Sequence, residues 1–340
     1  MKIRWLKGLA FSSNKKISHE LDVSEQQHKL SLLLENFNTK VDDVSELEYK
    51  LFLRFLRARQ FNVEKATIML KNYFTWRERS NISEMISNAQ VPIKLELYPR
   101  AYHGVDKLGR PIYIDCIGVS NIKKLLELYP EMNFFNHWIY EYEFLVNVIS
   151  SSCHISNILK SNSTKCMING ISKEKVMNIL NSDYFEIQPF ETLNIIDLNG
   201  FTLGNFDGSC RKIIKELVYI SQNYYPELLG NMIVINAPSI FSIIWNFVKP
   251  LIDEKTAKKI SIYTQNDNWK PVLLELVDED QLPRFLGGNP NYEGEWLNAN
   301  FGPWSNPIIL ECIAEKYPEI PKQLIFSHFV SRNNENVPEN

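Results

Sequence analysis

The sequence predicts an α/β fold, in which a mostly parallel β-sheet flanked by helices follows a small all-helical N-terminal domain. Two observations predict it. Apolar residues recur at helical spacing between residues 51 and 79, and from Tyr98 onwards short apolar stretches of strand length alternate with helical patterns. Strands that alternate with helices need crossover connections, which make neighbouring strands parallel. The length of 340 residues allows one large domain or two modest ones.

The N-terminal part has a helical pattern over residues 17–90. One apolar face is formed by Leu51, Phe52, Phe55, Leu56 and Phe61. A second helix is predicted from Val63 to Arg79, with Asn62 as its N-cap. Since Val91-Pro92 ends this pattern, we predict a helical domain over residues 1–95.

The remaining chain alternates between strands and helices. Strands are predicted at Tyr102–Asp106, Pro111–Ile117, Leu193–Leu198, Met232–Asn236 and Lys259–Thr264. Helices are predicted at 135–149, Ser209–Tyr225 and Ser239–Lys249. The stretch from Lys160 to Pro189 is rich in Asn, Ser and Lys, and we predict a surface insertion there.

Composition and motifs exclude several classes of function. A formal net charge of -3 does not suit a general nucleic-acid binder. The five cysteines include no CxxC pair and the six histidines show no ligand spacing, so we expect reduced thiols and no metal site. Gly104 and Gly109 have P-loop spacing, but Arg110-Pro111 follows them, which indicates a hairpin turn. No nucleophile–base pattern is present, and we expect neither an enzyme nor a cofactor.

The stretch Pro238–Ile252 is apolar on nearly every side. It is too short to span a bilayer and is interrupted by Ser242, Asn246 and Lys249. Such a helix is either buried on both sides or covers an apolar cavity and meets a membrane with its other face. Periodicity leaves both interpretations open.

The N-terminal residues 1–16 are basic, with apolar residues between the charges. A weak membrane-surface anchor and a solvated terminus both fit this composition. Lys7 interrupts the apolar stretch, so the sequence does not predict a cleavable signal peptide.

Several short motifs occur together in a fixed order between about residue 46 and about residue 308. They are 53-LRFLRARQF-61, 76-WR-77, 98-YP-99, 106-DKLGRP-111, 220-ISQNYYPE-227, 235-INAP-238, 248-VKPLID-253, 282-LPRFLGG-288 and 302-GPW-304. With these motifs the chain resembles the CRAL-TRIO family, and within it the phosphatidylinositol/phosphatidylcholine transfer proteins of the Sec-fourteen-like branch. The resemblance implies a lipid-binding domain over residues 96–290. Beyond it, the apolar residues of the tail, among them Trp304, Ile308 and Phe326, predict a C-terminal extension over residues 291–340 that packs back, and we expect its end to be disordered.

The resemblance further implies a hydrophobic pocket that is closed by a mobile gate helix. The matching gate residues are Phe241, Ile244, Trp245, Phe247 and Val248, and the expected hinge consists of Gly287 and Gly288. An apolar pocket suits acyl chains, whose burial contributes roughly 0.8 kcal/mol per methylene. The resemblance therefore favours the interpretation of residues 239–252 as a lid.

Two headgroup sites are implied by the same resemblance. For phosphatidylinositol the matching residues are Arg59, Gln60, Glu227, Thr256 and Lys259, where Gln60 replaces a basic residue. For phosphatidylcholine they are Tyr102, Tyr113, Thr192 and Asn194, where Asn194 replaces a hydroxyl residue. Basic and hydroxyl side chains suit a phosphodiester, and two tyrosines suit a quaternary ammonium.

The first hypothesis is a monomeric, cytoplasmic carrier that exchanges phosphatidylinositol and phosphatidylcholine between membranes. It would contact membranes peripherally, with the Golgi as one candidate, and could present phosphatidylinositol to a lipid kinase. A second hypothesis keeps the fold with another apolar cargo, such as a sterol, a retinoid or tocopherol. A third is an interaction module that binds a small GTPase or a kinase without moving lipid.

Overall fold

The computed structural model describes residues 22–40, 43–87, 95–129, 131–161, 171–181, 191–298 and 300–330. The chain divides into two units, residues 1–68 and residues 69–340. The division falls inside a helix that runs from Val63 to Arg79. The basic N-terminal segment, Val91-Pro92 and the final ten residues lie outside the described residues, as does most of the predicted insertion.

The first unit is helical, as its apolar periodicity predicts. Helix α1 (Val23–Glu35) begins at Asp22, whose side chain accepts a hydrogen bond from the Glu25 backbone N–H. Helix α2 (Glu46–Ala58) begins with a capping box between Ser45 and Glu48, which satisfies two backbone donors at its start. The core of this unit contains large apolar side chains from both helices: Leu30, Leu33, Leu34, Phe52, Phe55 and Leu56.

A five-stranded sheet forms the centre of the second unit, with the strand order β1-β2-β3-β4-β5. The strands are β1 (Arg100–Val105), β2 (Pro111–Asp115), β3 (Thr192–Asp197), β4 (Leu229–Ala237) and β5 (Ile260–Thr264). Strand β1 is antiparallel to β2, and every other pair is parallel. The predicted mostly parallel sheet is therefore confirmed.

Helices connect and cover these strands. The second unit contains the end of α3 (Val63–Arg79), then α4 (Ile82–Ser87), α5 (Ile122–Leu128), α6 (Glu131–Phe144), α7 (Ser150–Ser161), α8 (Lys173–Leu180), α9 (Gly208–Tyr224), α10 (Phe241–Val248), α11 (Glu254–Lys258), α12 (Lys270–Leu276), α13 (Pro307–Lys316) and α14 (Lys322–Val330). A π-helical turn at Leu145–Ile149 joins α6 to α7. None of the described helices combines the length and the apolarity needed to cross a membrane.

The two faces of the sheet differ in burial. One side, the closed face, is buried along the three inner strands, where six side chains are 0% exposed: Ile112, Ile114, Leu193, Ile195, Ile233 and Ile235. It packs against Leu273, Val277, Leu282 and Leu286. The other side, the open face, carries Tyr102, Tyr113, Asn194, Ile196, Met232 and Ile262, whose positions follow from the strand register.

The predicted surface insertion at Lys160–Pro189 is only partly correct. Within it lies α8, whose Val176 and Leu180 are buried. This helix packs against α13, and Lys316 donates a 2.8 Å hydrogen bond to Asn181. The average composition of this stretch is polar, so its two apolar residues at helical spacing, Val176 and Leu180, did not lead to a predicted helix. Such a pair is sufficient to anchor a short helix.

Candidate functional site

The open face is incompletely covered, although it lies in the middle of the unit. Asn194, Ile196 and Met232 are only partly buried there. Because they lie on the inner strands β3 and β4, their accessible surface does not come from an edge of the sheet. The open face therefore borders accessible space lined by apolar side chains, as a binding site for an apolar ligand requires.

Helix α10 lies against this face. Its Ile244 is buried in a cluster with Leu198, Phe206 and Val234, and Phe241, Phe247 and Val248 pack around the same cluster. The opposite side of α10 faces solvent, where Ile243 is 48% exposed. The helix is thus neither buried on all sides nor detached, which is the arrangement expected of a cover.

The four residues expected at a choline-lipid headgroup lie together on the open face. The Tyr102 and Tyr113 ring centroids are 4.9 Å apart. Tyr113 is in register with Asn194 on the next strand, and the Thr192 hydroxyl donates a 2.6 Å hydrogen bond to Asn194 Oδ1. Burial raises the pKa of both tyrosines well above the usual value, so both phenols are neutral at physiological pH.

A charged cluster that sequence reasoning missed adjoins these tyrosines. The Arg100 guanidinium lies 4.5 Å from the Tyr98 ring centroid and 5.5 Å from that of Trp138. Tyr98 donates a 2.8 Å hydrogen bond to Asp115 Oδ2. Burial raises the pKa of Asp115 to about 7, although the Tyr98 hydrogen bond and the Arg100 charge both favour its ionised form.

The signal for two of these residues was present in the sequence. Side chains alternate along a strand, so Arg100 shares a face with Tyr102, and Asp115 shares a face with Tyr113. Trp138 comes from α6, and no sequence spacing indicates that it lies beside β1.

An ion pair with a buried carboxylate joins α3 to α6. Arg77 of α3 contacts Glu143 of α6, and the Tyr225 hydroxyl donates a 2.6 Å hydrogen bond to the same carboxylate. The Tyr225 ring also stacks on Tyr142 at 4.7 Å. These contacts tie three helices together, and we assign them a structural role.

Three of the residues expected at an inositol-lipid headgroup lie near the start of β4 and along α11. Glu227 accepts a 2.7 Å hydrogen bond from Lys255. Lys259 donates to Glu191 at 3.0 Å and also to the Leu229 carbonyl. The Thr256 hydroxyl donates a 2.8 Å hydrogen bond to Asp253, the N-cap of α11. A phosphoinositol group would compete with these internal partners.

Arg59 and Gln60 lie in the first unit, in the turn that ends α2. Arg59 donates a 3.1 Å hydrogen bond to the Ala58 carbonyl. Gln60 and Phe61 both have left-handed backbones, with φ values of 51° and 59°. Such strain costs on the order of 1 kcal/mol or more per residue and occurs frequently at ligand-binding turns.

The glycine pair expected at the hinge has a local structural reason. Gly287 has a φ of 93°, and a Cβ on Gly288 would collide with the Leu282 carbonyl. Only glycine fits this turn without displacing its neighbours. The hinge role itself stays a prediction.

Two family models match the chain. Residues 95–288 match the CRAL/TRIO domain and residues 18–72 match the CRAL/TRIO N-terminal domain. The chain therefore belongs to the CRAL/TRIO family. The resemblance predicted from the motifs is confirmed, and the observed sheet agrees with the fold that it implied.

Similar proteins include lipid-transfer proteins. The phosphatidylinositol/phosphatidylcholine transfer protein SFH12 of Arabidopsis thaliana is 31% identical over 271 residues, which are 78% of this chain and 44% of that protein. The Sec14 cytosolic factor of Schizosaccharomyces pombe is 30% identical over 279 residues, which are 81% of this chain and 85% of that protein. The chain thus spans less than half the length of the plant relative.

A solved structure also shares the fold. The crystal structure of Sfh5 superposes with a TM-score of 0.52 at 17% sequence identity, and the match covers 88% of this chain and all of the other. At this identity the match shows the fold alone. Among the described residues, no three His, Cys, Asp or Glu side chains converge in the way that metal ligands would.

Proposed function

We propose that the protein binds phosphatidylinositol and phosphatidylcholine and exchanges them between membranes, without making or breaking a covalent bond. The observation that carries this proposal is the partly exposed, mainly apolar open face beneath α10, which has a polar end at Tyr102, Tyr113 and Asn194. Apolar walls with a polar end suit a phospholipid, and relatives that are 31% identical are named for transfer of these two lipids.

Acyl chains would lie along Ile196, Met232 and Ile262. Each buried methylene contributes roughly 0.8 kcal/mol, so two chains can compensate for leaving the bilayer. Helix α10 would act as the gate. It would move only where a bilayer can replace the contacts that Ile244 makes with Leu198 and Val234.

The headgroups would be held at two places. Glu227, Thr256 and Lys259 are the candidate inositol-lipid residues of the second unit, and Arg59 and Gln60 are those of the first unit. Tyr102, Tyr113, Thr192 and Asn194 form the candidate choline-lipid set. Presentation of phosphatidylinositol to a lipid kinase, peripheral contact with membranes such as the Golgi, and action as a monomer belong to the same proposal.

A sterol, retinoid or tocopherol fits the polar end less well. Each of these molecules brings one or two oxygens, whereas Tyr113, Thr192 and Asn194 offer several hydrogen-bonding groups in one place. Buried groups of this kind are costly when they have no partner, and a phospholipid headgroup satisfies more of them.

The test is a vesicle-to-vesicle transfer assay with labelled phosphatidylinositol and phosphatidylcholine. The unmodified protein should move both lipids. Replacing Glu227 and Lys259 together by Ala should abolish phosphatidylinositol transfer and spare phosphatidylcholine transfer, because the two headgroup sets do not share residues.

Lys258→Ala is the matched control. Lys258 lies beside Lys259, is exposed and pairs with Glu254 of the same helix, so transfer of both lipids should be retained. Failure of the unmodified protein to move either lipid would contradict the proposed function. Equal loss of both lipids in the double variant would contradict the separation of the two sites.

A further inference from the structure

Four buried polar atoms next to the candidate choline-lipid residues have no hydrogen-bond partner among the described residues. They are Arg100 Nε, Tyr113 Oη, Asp115 Oδ1 and Trp138 Nε1. Arg100, Tyr113 and Asp115 are at most 5% exposed. Their rings and charged groups are close together, since the Tyr113 and Trp138 ring centroids are 6.2 Å apart and the Arg100 guanidinium lies 5.5 Å from Trp138.

The remaining polar atoms of this cluster are held in place. Arg100 donates a 3.3 Å hydrogen bond to the Tyr98 carbonyl and also contacts His137. Asp115 accepts its 2.8 Å hydrogen bond from Tyr98 through the other carboxylate oxygen. Arg100 and Asp115 are therefore each held by a hydrogen bond at one atom, while Arg100 Nε and Asp115 Oδ1 have no partner among the described residues. Buried polar groups nearly always have a hydrogen-bond partner. We therefore expect these four atoms to bind a group that does not come from the described residues.

The cluster continues the candidate headgroup site along the open face. Arg100 is in register with Asp115, and Tyr102 is in register with Tyr113. A headgroup that lies between these two pairs would have its phosphate beside Tyr113 and Trp138 and its nitrogen beside Asp115.

The charges favour a cation in this position. Above its pKa of about 7, Asp115 is a carboxylate and acts together with Glu141 on the single guanidinium of Arg100. Glu141 also lies 3.5 Å from His137. The donors Arg100 Nε and Trp138 Nε1 suit phosphate oxygens, and Asp115 Oδ1 suits an N–H donor. A quaternary ammonium has no N–H and leaves Asp115 Oδ1 without a hydrogen bond.

We propose that Arg100, Tyr113, Asp115 and Trp138 form a selectivity site that favours phospholipids whose headgroup nitrogen keeps at least one N–H, of which phosphatidylethanolamine is the simplest. Phosphatidylcholine binds at lower occupancy. This inference rests on the proposed function, because it requires that the open face takes up a phospholipid.

The test uses a series of lipids that differ only in N-methylation. Phosphatidylethanolamine, its N-methyl and N,N-dimethyl derivatives and phosphatidylcholine, all with the same acyl chains, are offered in vesicles at equal concentration. The lipid loaded per chain is then measured by native mass spectrometry and extraction. The first three should load about equally and phosphatidylcholine roughly ten-fold less, because a charge-assisted hydrogen bond is lost only at the third methylation.

Other outcomes overturn the proposal. If loading increases from phosphatidylethanolamine to phosphatidylcholine, cation–π contact with Tyr102 and Tyr113 dominates the selectivity. A gradual change would mean that headgroup size decides, and a flat series would mean that ordered water alone satisfies the cluster. If none of these lipids loads but phosphatidylinositol does, only the selectivity site fails. If no phospholipid loads, the proposed function fails as well.

A conservative variant tests whether the Asp115 carboxylate is the acceptor for the headgroup N–H. Asp115→Asn keeps an oxygen for the Tyr98 hydrogen bond but removes the charge, and it should reduce the ten-fold step between the dimethyl and choline lipids to about two-fold. Asp197→Asn is the matched control, because Asp197 is on β3 and accepts its hydrogen bonds from Asn199 and Asn236. It should keep the full step. The series on the unmodified protein stands even if a variant does not fold.

Discussion

At the scale of single residues, the candidate inositol-lipid site combines an unusual backbone with an internal ion pair. Glu227 has a left-handed backbone, with a φ of 59°, in the turn between α9 and β4. Its side chain accepts from Lys255, which is well exposed, so the contact contributes little stability. The Lys255 contact therefore does not offset the energetic cost of the left-handed backbone at Glu227. Such uncompensated strain is more typical of a binding residue than of a purely structural one.

Asp115 predicts a measurable pH dependence of stability. Its pKa is raised from 3.8 to about 7 in the folded protein, first because of burial. Between pH 4 and pH 7 the folded protein then holds a proton that the unfolded chain has released. Stability therefore falls as pH rises through this range, and above pH 7 the contribution of Asp115 stays constant. The free energy involved is on the order of 4 kcal/mol.

Urea unfolding of the unmodified protein and of Asp115→Asn at several pH values measures this contribution. The variant has no carboxylate at this position, so it should gain stability relative to the unmodified protein as pH rises from 4 to 7. Asp197→Asn serves as the control, because the Asp197 carboxylate is hydrogen-bonded and partly exposed. Parallel pH curves for Asp115→Asn and the unmodified protein would show that Asp115 ionises normally.

The residues of the site were predictable to unequal degrees. Tyr102, Tyr113, Thr192 and Asn194 are implied by the family resemblance, and they lie together on the open face. Arg100 was missed because β1 was predicted to begin two residues late, at Tyr102, which left Arg100 outside the strand. The internal partners of Glu227 and Lys259 carry no sequence signal, because Lys255 and Glu191 are 28 and 68 positions away along the chain.

At the scale of elements, α10 shows what periodicity can and cannot decide. The predicted helix from Ser239 to Lys249 corresponds to α10 followed by a short 3₁₀ turn from Lys249 to Leu251. Its nearly continuous apolar character leaves burial and lid formation both open. Tertiary contacts bury Ile244 and leave Ile243 exposed, which periodicity alone does not indicate, and the lid assignment itself stays a prediction.

Because Ile243 faces away from the sheet, it offers a direct test of membrane contact by α10. Ile243→Asp should slow lipid exchange at vesicles by about ten-fold or more, because a charged side chain opposes insertion into the apolar part of a bilayer. Thermal unfolding should change little, since the side chain is 48% exposed and loses few packing contacts.

Leu108→Asp is the corresponding control. Leu108 is 70% exposed and lies in the turn that precedes the N-terminal end of β2, whereas α10 follows the C-terminal end of β4. The parallel strands β2 to β4 place these two positions at opposite ends of the sheet. Equal exchange rates for the two variants would contradict the assignment of α10 as the membrane-contacting gate.

At the scale of the whole second unit, the segment after the sheet is part of the same structure rather than an appendage. Helix α13 contacts α7 and α8, and α14 contacts α4 and α6. Ile309, Leu310 and Ile313 are completely or almost completely buried. The sequence indicated packing of this segment through its apolar residues but could not indicate the partners, which lie more than 100 positions away along the chain.

Trp304 connects this segment to the candidate site and predicts that both unfold together. Its side chain is 2% exposed, and its ring centroid is 6.1 Å from that of Tyr102, in an edge-on arrangement. Trp304→Ala should lower the free energy of unfolding by about 3 to 5 kcal/mol, as expected when a large buried aromatic side chain is removed. Hydrogen exchange should then accelerate in α13 and in β1 alike, because loss of the ring removes a contact that both share.

Trp296→Ala controls for the removal of an indole ring. Trp296 is only partly buried and packs at 5.3 Å on Phe285, which is itself 42% exposed, so the loss of stability should be clearly smaller. If Trp304→Ala accelerates exchange in α13 and leaves β1 unchanged, the C-terminal segment is a separate folding element. If both regions respond, the tyrosines on the open face depend for their position on residues almost 200 positions further along the chain.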